Sequence, residues 1–333
     1  MTRLLALFED PDGPSARLRF DLYCGGLERL GVEVRREGIP RGWRRRYRLF
    51  RRAESAEVTY VQRRLIPAWQ VRLLRRRARR LVFDLDDAVG FRDRPPFRSR
   101  TRTRRLGAWL RAADHVVVGS PALLDHGGEA RAPRTLVPTT VPAVDDPGVP
   151  EPGRVLWVGQ PSTFRYLEAL APFLEEAARR DPTLHWVFLG ASEGGLAGLP
   201  RAERPRWTPE RELQELRRAA VGLAPLPDDP WTRGKCAARL HRYLSHGIPV
   251  VASPVGAQRA VAEACSGVRL AEVPSDWTGA IAEAALSAPE RSAVRSSWGR
   301  RYDPVHWEAT WLQAVLGVEG FEALKDRACA ASE

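Results

Sequence analysis

The chain has almost no lysine: of its 53 Lys and Arg residues only Lys235 and Lys325 are lysines. It also has one methionine, four cysteines and six histidines. Each shortage excludes something. Cys24, Cys236, Cys265 and Cys329 show no paired spacing, so neither a disulfide framework nor a zinc site is expected, and a reducing cytosol fits. His126, His185 and His306 have no partner at a recognisable spacing, and neither Ser120 nor Ser253 sits in a G-x-S-x-G elbow. Arginine interrupts every apolar run, so no membrane span is expected. The opening MTRLLALFEDPDG is too short in its apolar part for a secretory signal.

Arginine is what the chain has in excess. The formal net charge is +12. The surplus gathers in residues 35–105, at Arg44-Arg45-Arg46, Arg51-Arg52, Arg63-Arg64, Arg75-Arg76-Arg77 and the alternating Arg98, Arg100, Arg102 and Arg104. One reading is a solvated face in a chain that uses Arg for Lys throughout. Another is a face that attracts anionic lipid or an acidic acceptor. No helix-turn-helix, RNA-binding aromatic motif or zinc finger is present, so no nucleic-acid partner is expected.

At 333 residues two domains are expected. Apolar strand-like runs alternate with helical periodicity throughout, the pattern of parallel α/β sheets. The first half reads as strands at Leu4–Phe8, Val32–Val34, Glu57–Gln62, Leu81–Phe83, His115–Gly119 and Thr135–Val137. Between them fall helices over Ala16–Leu30, within Arg36–Glu54, and over Leu65–Ala78 and Arg102–Ala112, with another helix starting at Ser120-Pro121. Residues 143–153, rich in Pro and Gly, read as a linker between domains at 1–142 and 154–303, with helices from 304 to 333. The second domain opens on the strand from Arg154, a loop over Gly159–Thr163 and a helix over Tyr166–Arg179. His185–Leu189 and Val221–Ala224 are further strands. Gly190–Pro209 reads as loop with a short strand near Arg206-Trp207.

Trp231 to Gly256 concentrates the signals. A helix over Cys236–Ser245 ends at Gly247, in a position that favours a left-handed residue, and Pro249 prevents its continuation. Ile248–Ala252 is a short buried strand, and Ser253-Pro254-Val255-Gly256 opens a helix whose free amides suit an anion. Lys235, in a chain that otherwise uses arginine, marks a place suited to a compact ammonium, or else a solvated helix start. At the other end, Asp84, Asp86 and Asp87 follow an apolar strand. Asp-x-Asp there has three readings: a site at a sheet's carboxyl edge, a helix cap with a turn, or a metal-binding pair.

Leu223-Ala224-Pro225-Leu226, Trp231–Lys235 and Gly247–Gly256 resemble the C-terminal domain of GT-B glycosyltransferases, in particular the family 4-like retaining group. Val155–Gly159 with Ser162-Thr163, and Asp276-Trp277, continue the likeness. It implies an α/β fold of two Rossmann-like domains facing a cleft, with C-terminal helices crossing back to the first. It implies transfer of a hexose from a nucleotide-diphosphate sugar to a glycan, lipid-linked or small-molecule acceptor; with the cysteine usage and the basic face, the expected place is the cytoplasm or the inner face of the plasma membrane. Such transfer is retaining and metal-independent, and the nucleotide sugar is a substrate rather than a cofactor.

By the resemblance, Lys235 and Asp86 would serve the reaction, Lys235 on the diphosphate and Asp86 on the acceptor side. Gly159, Ser162, Thr163, Arg239, Ser253, Val255 and Gly256 would join Lys235 around the donor. Arg17, Arg19, Asp84 and Asp87 would lie toward the acceptor. A leaving diphosphate gains negative charge as the glycosidic bond breaks, and fixed positive ends stabilise it. The chain departs from the group at two places. Many members carry two glutamates, the first touching the sugar and the second the ribose, where this chain has Gly234 and Arg242. That departure keeps open a binding protein without catalysis. A nucleotide-sugar epimerase on the same architecture is a further alternative.

Overall fold

The computed structural model describes residues 2–128, 132–192, 196, 198–286 and 290–330. Contacts divide the chain into two compact units. The first holds the residues up to Thr140, Asp229–Cys236 and those from Pro304 onward; the second holds Val141–Asp228 and Ala237–Asp303.

The first unit is built on β1 (Thr2–Phe8), β2 (Val32–Gly38), β3 (Val58–Gln62), β4 (Arg80–Leu85), β5 (His115–Val118) and β6 (Arg134–Leu136). They pair in the order β2-β1-β3-β4-β5-β6, all parallel. Helices α1 (Pro14–Arg19), α2 (Cys24–Arg29), α3 (Trp43–Phe50), α4 (Ala68–Arg75) and α5 (Arg100–Ala112) connect them. The second unit carries β7 (Arg154–Val158), β8 (His185–Leu189), β9 (Ala202–Glu203), β10 (Val221–Ala224), β11 (Val250–Ala252) and β12 (Val268–Leu270), ordered β12-β11-β10-β7-β8-β9 and again parallel. Its helices are α6 (Pro161–Glu168), α7 (Ala171–Arg180), α8 (Pro209–Arg218), α9 (Ala238–Ser245), α10 (Ala257–Ala264), α11 (Asp276–Leu286) and α12 (Arg291–Tyr302). Two last helices, α13 (Glu308–Leu316) and α14 (Val318–Ala330), return to the first unit, as the resemblance implied.

Strand alternation divides each buried run between two faces. On β1, Leu5 and Leu7 join Phe83, Leu85 and Trp109 in one core. Leu4, Ala6 and Phe8 join Tyr60, Val82 and Val117 in the other. Helix α13 covers that second face. Its Trp311 stacks on Tyr23 at 5.0 Å and meets Phe20 edge-on at 5.5 Å. Arg80 caps the helix by donating to the carbonyls of Ala314 and Val315 at 2.9 Å each. In the second unit, Trp157, Trp186, Phe188 and Trp277 fill one core. A buried pair, Arg154 Nη2 to Glu215 Oε2 at 2.6 Å, ties β7 to α8.

Several expected elements differ. The single helix over Ala16–Leu30 is broken at Phe20, whose φ of −122° leaves the helical range, into α1, a 3-10 turn at Asp21–Tyr23 and α2. Gly26 has its own reason to lack a side chain, since a Cβ would lie 2.9 Å from Glu308 Oε1. The loop expected over Gly159–Thr163 already contains the start of α6, because Gln160 caps and Pro161 fits the first helical position. The helix expected over Tyr166–Arg179 is two helices, α6 and α7. Ser120-Pro121 opens only a 3-10 turn, Pro121–Leu123, and the Ser120 hydroxyl caps nothing. The basic segment 36–54 starts inside β2 and holds the short α3. The short strand falls at Ala202–Glu203, upstream of Arg206. Residues 193–195 and 197 of the expected 190–209 loop lie outside the described residues. The helix expected from Cys236 starts at Ala238, and the strand expected from Ile248 starts at Val250.

Candidate functional site

Both sheets reverse direction about their first strand. The chain runs outward on both sides of β1 and on both sides of β7, which places switch points between β1 and β3 and between β7 and β10. Open α/β sheets bind ligands at the carboxyl ends of strands beside such points. The residues singled out in the sequence fall in two groups near strand carboxyl ends, the first at β4 and the second beside the β7–β10 switch point.

The first group surrounds the end of β4. Asp84 and Arg19 are fully buried and held to each other by two bonds, Nη2 to Oδ2 at 2.8 Å and Nε to Oδ1 at 3.1 Å. Arg19 also donates to the Val137 carbonyl and, at 3.4 Å, to Thr139 Oγ1. This pair locks α1 to β4; both charges are enclosed, and burial still holds the Asp84 carboxyl above its ordinary range against the pull of Arg19. Arg17, two residues earlier, is exposed.

Asp86 and Asp87 face a cation cluster. Arg63 Nη1 reaches Asp87 Oδ2 at 2.8 Å and Asp86 Oδ1 at 3.6 Å. Lys235 Nζ lies 3.5 Å from Asp87 Oδ1 and 5.3 Å from the centre of the Trp231 ring. Burial raises the Asp87 carboxyl, and Lys235 and Arg63 oppose that rise. Asp86 is nearly enclosed, and its Oδ1 has no hydrogen-bond partner. The Asp86 carbonyl accepts from the Cys236 thiol at 3.0 Å, and burial pushes that thiol up to about 12, so it is a structural group and no nucleophile. Among the described residues no three His, Cys, Asp or Glu side chains are grouped to hold a metal ion. Gly234 is pressed against Ala88, which leaves no space for the glutamate that the resembling group carries there. The Lys235 loop passes into α9 through Ala237, a left-handed residue with φ +54°, at a cost of about 1–2 kcal/mol.

The second group edges β7, β10 and β11. The Arg239 guanidinium lies over the Trp157 ring, 5.0 Å from its centre. Gly159 makes room for both: a Cβ there would fall 2.4 Å from the Trp157 ring and 3.0 Å from Arg239 Nη2. No carboxylate among the described residues pairs with Arg239, and burial pushes its guanidinium below the ordinary arginine range. A partly buried cation with no counterion is costly unless something else supplies the negative charge. The Thr163 hydroxyl donates to the Gln160 carbonyl at 3.0 Å, and Ser162 is exposed in the first turn of α6. Ser253 Oγ accepts from the Leu226 amide at 3.0 Å, fixing the loop after β10. The Val255 amide donates to the Ser253 carbonyl at 2.8 Å. Gly256, with φ +57° and ψ −132°, holds a conformation that only glycine adopts readily, and the first turn of α10 follows.

Arg242 does not replace a glutamate with an open charge. Its Nη1 donates to Glu212 Oε1 at 2.5 Å, and Trp207 Nε1 donates to the other Glu212 oxygen at 2.5 Å. A carboxylate from α8 thus stands beside position 242. Trp157, Trp231, Arg63 and Glu212 are absent from the sequence-based set. Trp157, Arg63 and Glu212 are recognised by partners distant in sequence, Arg239, Asp87 and Arg242; Trp231 alone has a local one, Lys235 four residues on. No helix among the described residues is long and apolar enough to cross a membrane.

No known family profile and no curated protein matches the chain. Solved structures do. The chain is similar to Anabaena Alr3699/HepE, solved in complex with UDP and glucose, at 14% identity and a TM-score of 0.67, covering 93% of this chain and 98% of that one. It is similar to the UDP-forming α,α-trehalose-phosphate synthase of Burkholderia vietnamiensis at 14% identity and a TM-score of 0.62, over 100% and 99% of the two chains. It is also similar to AviGT4, a glycosyltransferase involved in avilamycin A biosynthesis, at 14% identity and a TM-score of 0.60, over 97% and 99%. These likenesses show the fold, the GT-B class read from the sequence.

Proposed function

We propose that the protein is a glycosyltransferase that moves a hexose from a nucleoside-diphosphate sugar to a glycan, lipid-linked or small-molecule acceptor on the cytoplasmic side. Arg239 carries the reading: a half-buried guanidinium with no carboxylate partner, at a sheet's carboxyl edge beside a glycine that clears its approach. A diphosphate supplies the missing negative charge. The first turn of α10 adds amides of the right polarity. Structures of the same fold that hold UDP, or UDP with glucose, support the choice of ligand. Lys235 is the second cation of the reading, and Asp86 and Asp87 are its acceptor-side carboxylates. Developing charge on the leaving diphosphate then meets fixed cations, without need of a strong protein base. Retention of configuration and family 4-like kinship belong to this proposal.

A non-catalytic binding protein is the second reading, favoured by Gly234 and Arg242. The packing of Gly234 on Ala88 weakens it, since the missing side chain there has a steric cause. The test is release of nucleoside diphosphate from a panel of UDP-, GDP-, ADP- and TDP-sugars. Release from one donor by the wild type, lost in Lys235→Ala with the fold intact, is expected. Tight UDP binding with no release from any donor would leave only the binding protein. Conversion of donor to its epimer without acceptor would replace transfer by epimerisation.

A further inference from the structure

We propose that the face formed by α3 and α4 docks the protein onto an anionic lipid bilayer. Two side-chain contacts join them: Arg46 Nη1 of α3 donates to Gln70 Oε1 of α4 at 3.1 Å, and the guanidinium of Arg77, just past α4, sits 5.1 Å from the centre of the Tyr47 ring. Their inner sides, Leu49, Phe50, Val71 and Leu74, are buried in one core. Their outer sides carry rings and charge instead.

Trp43, Tyr47 and Trp69 are 55, 40 and 52% exposed. Among the described residues the fourth exposed aromatic ring is Trp207, in the other unit, so ring exposure is gathered here and not scattered. Trp43 and Tyr47 stand four residues apart, on one side of α3. Arg44, Arg45, Arg48, Arg72 and Arg76 are exposed with no carboxylate partner among the described residues. Their neighbours Arg52, Arg75, Arg77 and Arg79 are paired, to Glu37, Asp114, Glu54 and Glu57. From Ile39 to Ala53 the sequence has seven arginines and no acidic residue.

Indole and phenol rings settle at the headgroup level of a bilayer, where one edge is wet and the body apolar. Arginines beside them supply attraction to anionic headgroups over about a Debye length. Each half of the patch is ordinary alone. Together on one face, with the charges unneutralised, they match an anionic bilayer in both its parts. Single-stranded nucleic acid, the competing polyanion, is bound in grooves that track its backbone; here the rings stand on outer helix faces.

The experiment is flotation of the full chain with vesicles of phosphatidylcholine alone, and of phosphatidylcholine mixed with phosphatidylglycerol. Binding to the mixed vesicles alone is expected. R44S/R45S should weaken it about 25-fold, at roughly fivefold per basic residue. R179S/R180S removes the same charge from α7 and should leave it unchanged. W43S/W69S, with no change of charge, should weaken it about tenfold or more, the rings being the apolar half of the contact. All these positions are exposed, and circular dichroism checks the fold of each variant. Equal loss in the two arginine pairs, no loss in W43S/W69S, or no binding to mixed vesicles overturns the proposal. Ring-dependent binding of a single-stranded oligonucleotide without vesicle binding would overturn it in favour of a nucleic-acid face.

Discussion

Gly234 lies so close to Ala88 that a Cβ built on it would fall 2.4 Å from Ala88 Cβ and 2.9 Å from the Ala88 amide nitrogen. Rotamer change cannot relieve a clash with main-chain atoms. Gly234→Ala should therefore destabilise the protein by about 1–3 kcal/mol, the cost of overpacking. It should also lower donor turnover, because Lys235 follows directly. Ala88→Gly in the same chain removes the Cβ contact and leaves the main-chain ones, so it should restore part of both. Urea unfolding of the two single variants and the double variant measures the coupling; additive losses would show that the contact is not the cause.

Arg239→Met should separate stability from ligand binding. The unpaired cation costs the empty protein desolvation energy, so its removal should leave stability unchanged or raise it. Affinity for UDP should fall by roughly ten- to a hundredfold, the loss of about 1.5–3 kcal/mol from hydrogen bonds to a charged group. Arg239→Lys should recover only part, since the guanidinium plane over Trp157 is lost. Calorimetric titration with UDP checks this. Unaltered affinity in Arg239→Met would remove Arg239 from the donor site.

The buried histidines make the fold sensitive to acid. Trp298 Nε1 donates to His241 Nδ1 at 3.0 Å, which keeps that nitrogen unprotonated. Burial pushes His241 down to about 3 and His246 down to about 4. In the unfolded chain both titrate near about 6.5. Their stabilising contribution is complete above that value and is lost as pH falls toward the folded values, because the unfolded chain takes up protons that the folded one refuses. The buried carboxyls Asp84 and Asp87, whose pKa values are raised, act in the opposite sense and do not add to acid sensitivity. Unfolding free energy should decline below about pH 6.5, by at most roughly 1.4 kcal/mol per pH unit per histidine. His241→Gln should flatten that slope by up to one proton; an unchanged slope would place the sensitivity elsewhere.

Trp311→Ala should cost about 3–5 kcal/mol, the range for a large aromatic removed from a core. The ring is fully buried against Phe20, Tyr23 and Tyr60. Denaturant midpoints should drop accordingly, and a change under about 1 kcal/mol would mean that α13 contributes little to the first unit.

Much of the fold was legible because its signals are local. Apolar runs mark both sets of parallel strands, and Gly247, with φ +71°, ends α9 where the Gly-x-Pro spacing requires. Lys235 stood out by composition alone. The pairing of Arg19 with Asp84 was not legible. It joins positions 65 residues apart, and nothing in a chain with so many arginines tells which one an aspartate meets. The pressure on Gly234 is equally non-local. Helix α12 went unrecognised because its segment, RSAVRSSWGRRY, is largely polar; its buried residues Val294, Trp298 and Tyr302, spaced by four, were the available signal. Gln160-Pro161 was likewise a sufficient helix start, masked by the glycine before it.

The chain passes from one unit to the other four times, at 140/141, 228/229, 236/237 and 303/304. Neither half of the polypeptide is therefore self-sufficient. A fragment ending near the Pro- and Gly-rich stretch would leave the β1–β3 face without the helix bearing Trp311, bare apolar surface that water would meet directly. A fragment beginning there would carry the Trp231–Lys235 segment without Ala88, Asp86 and Asp87 to rest on. Dissection at residues 143–153 should give two sticky, poorly soluble pieces, and mixing them during refolding is the way such pieces would regain order.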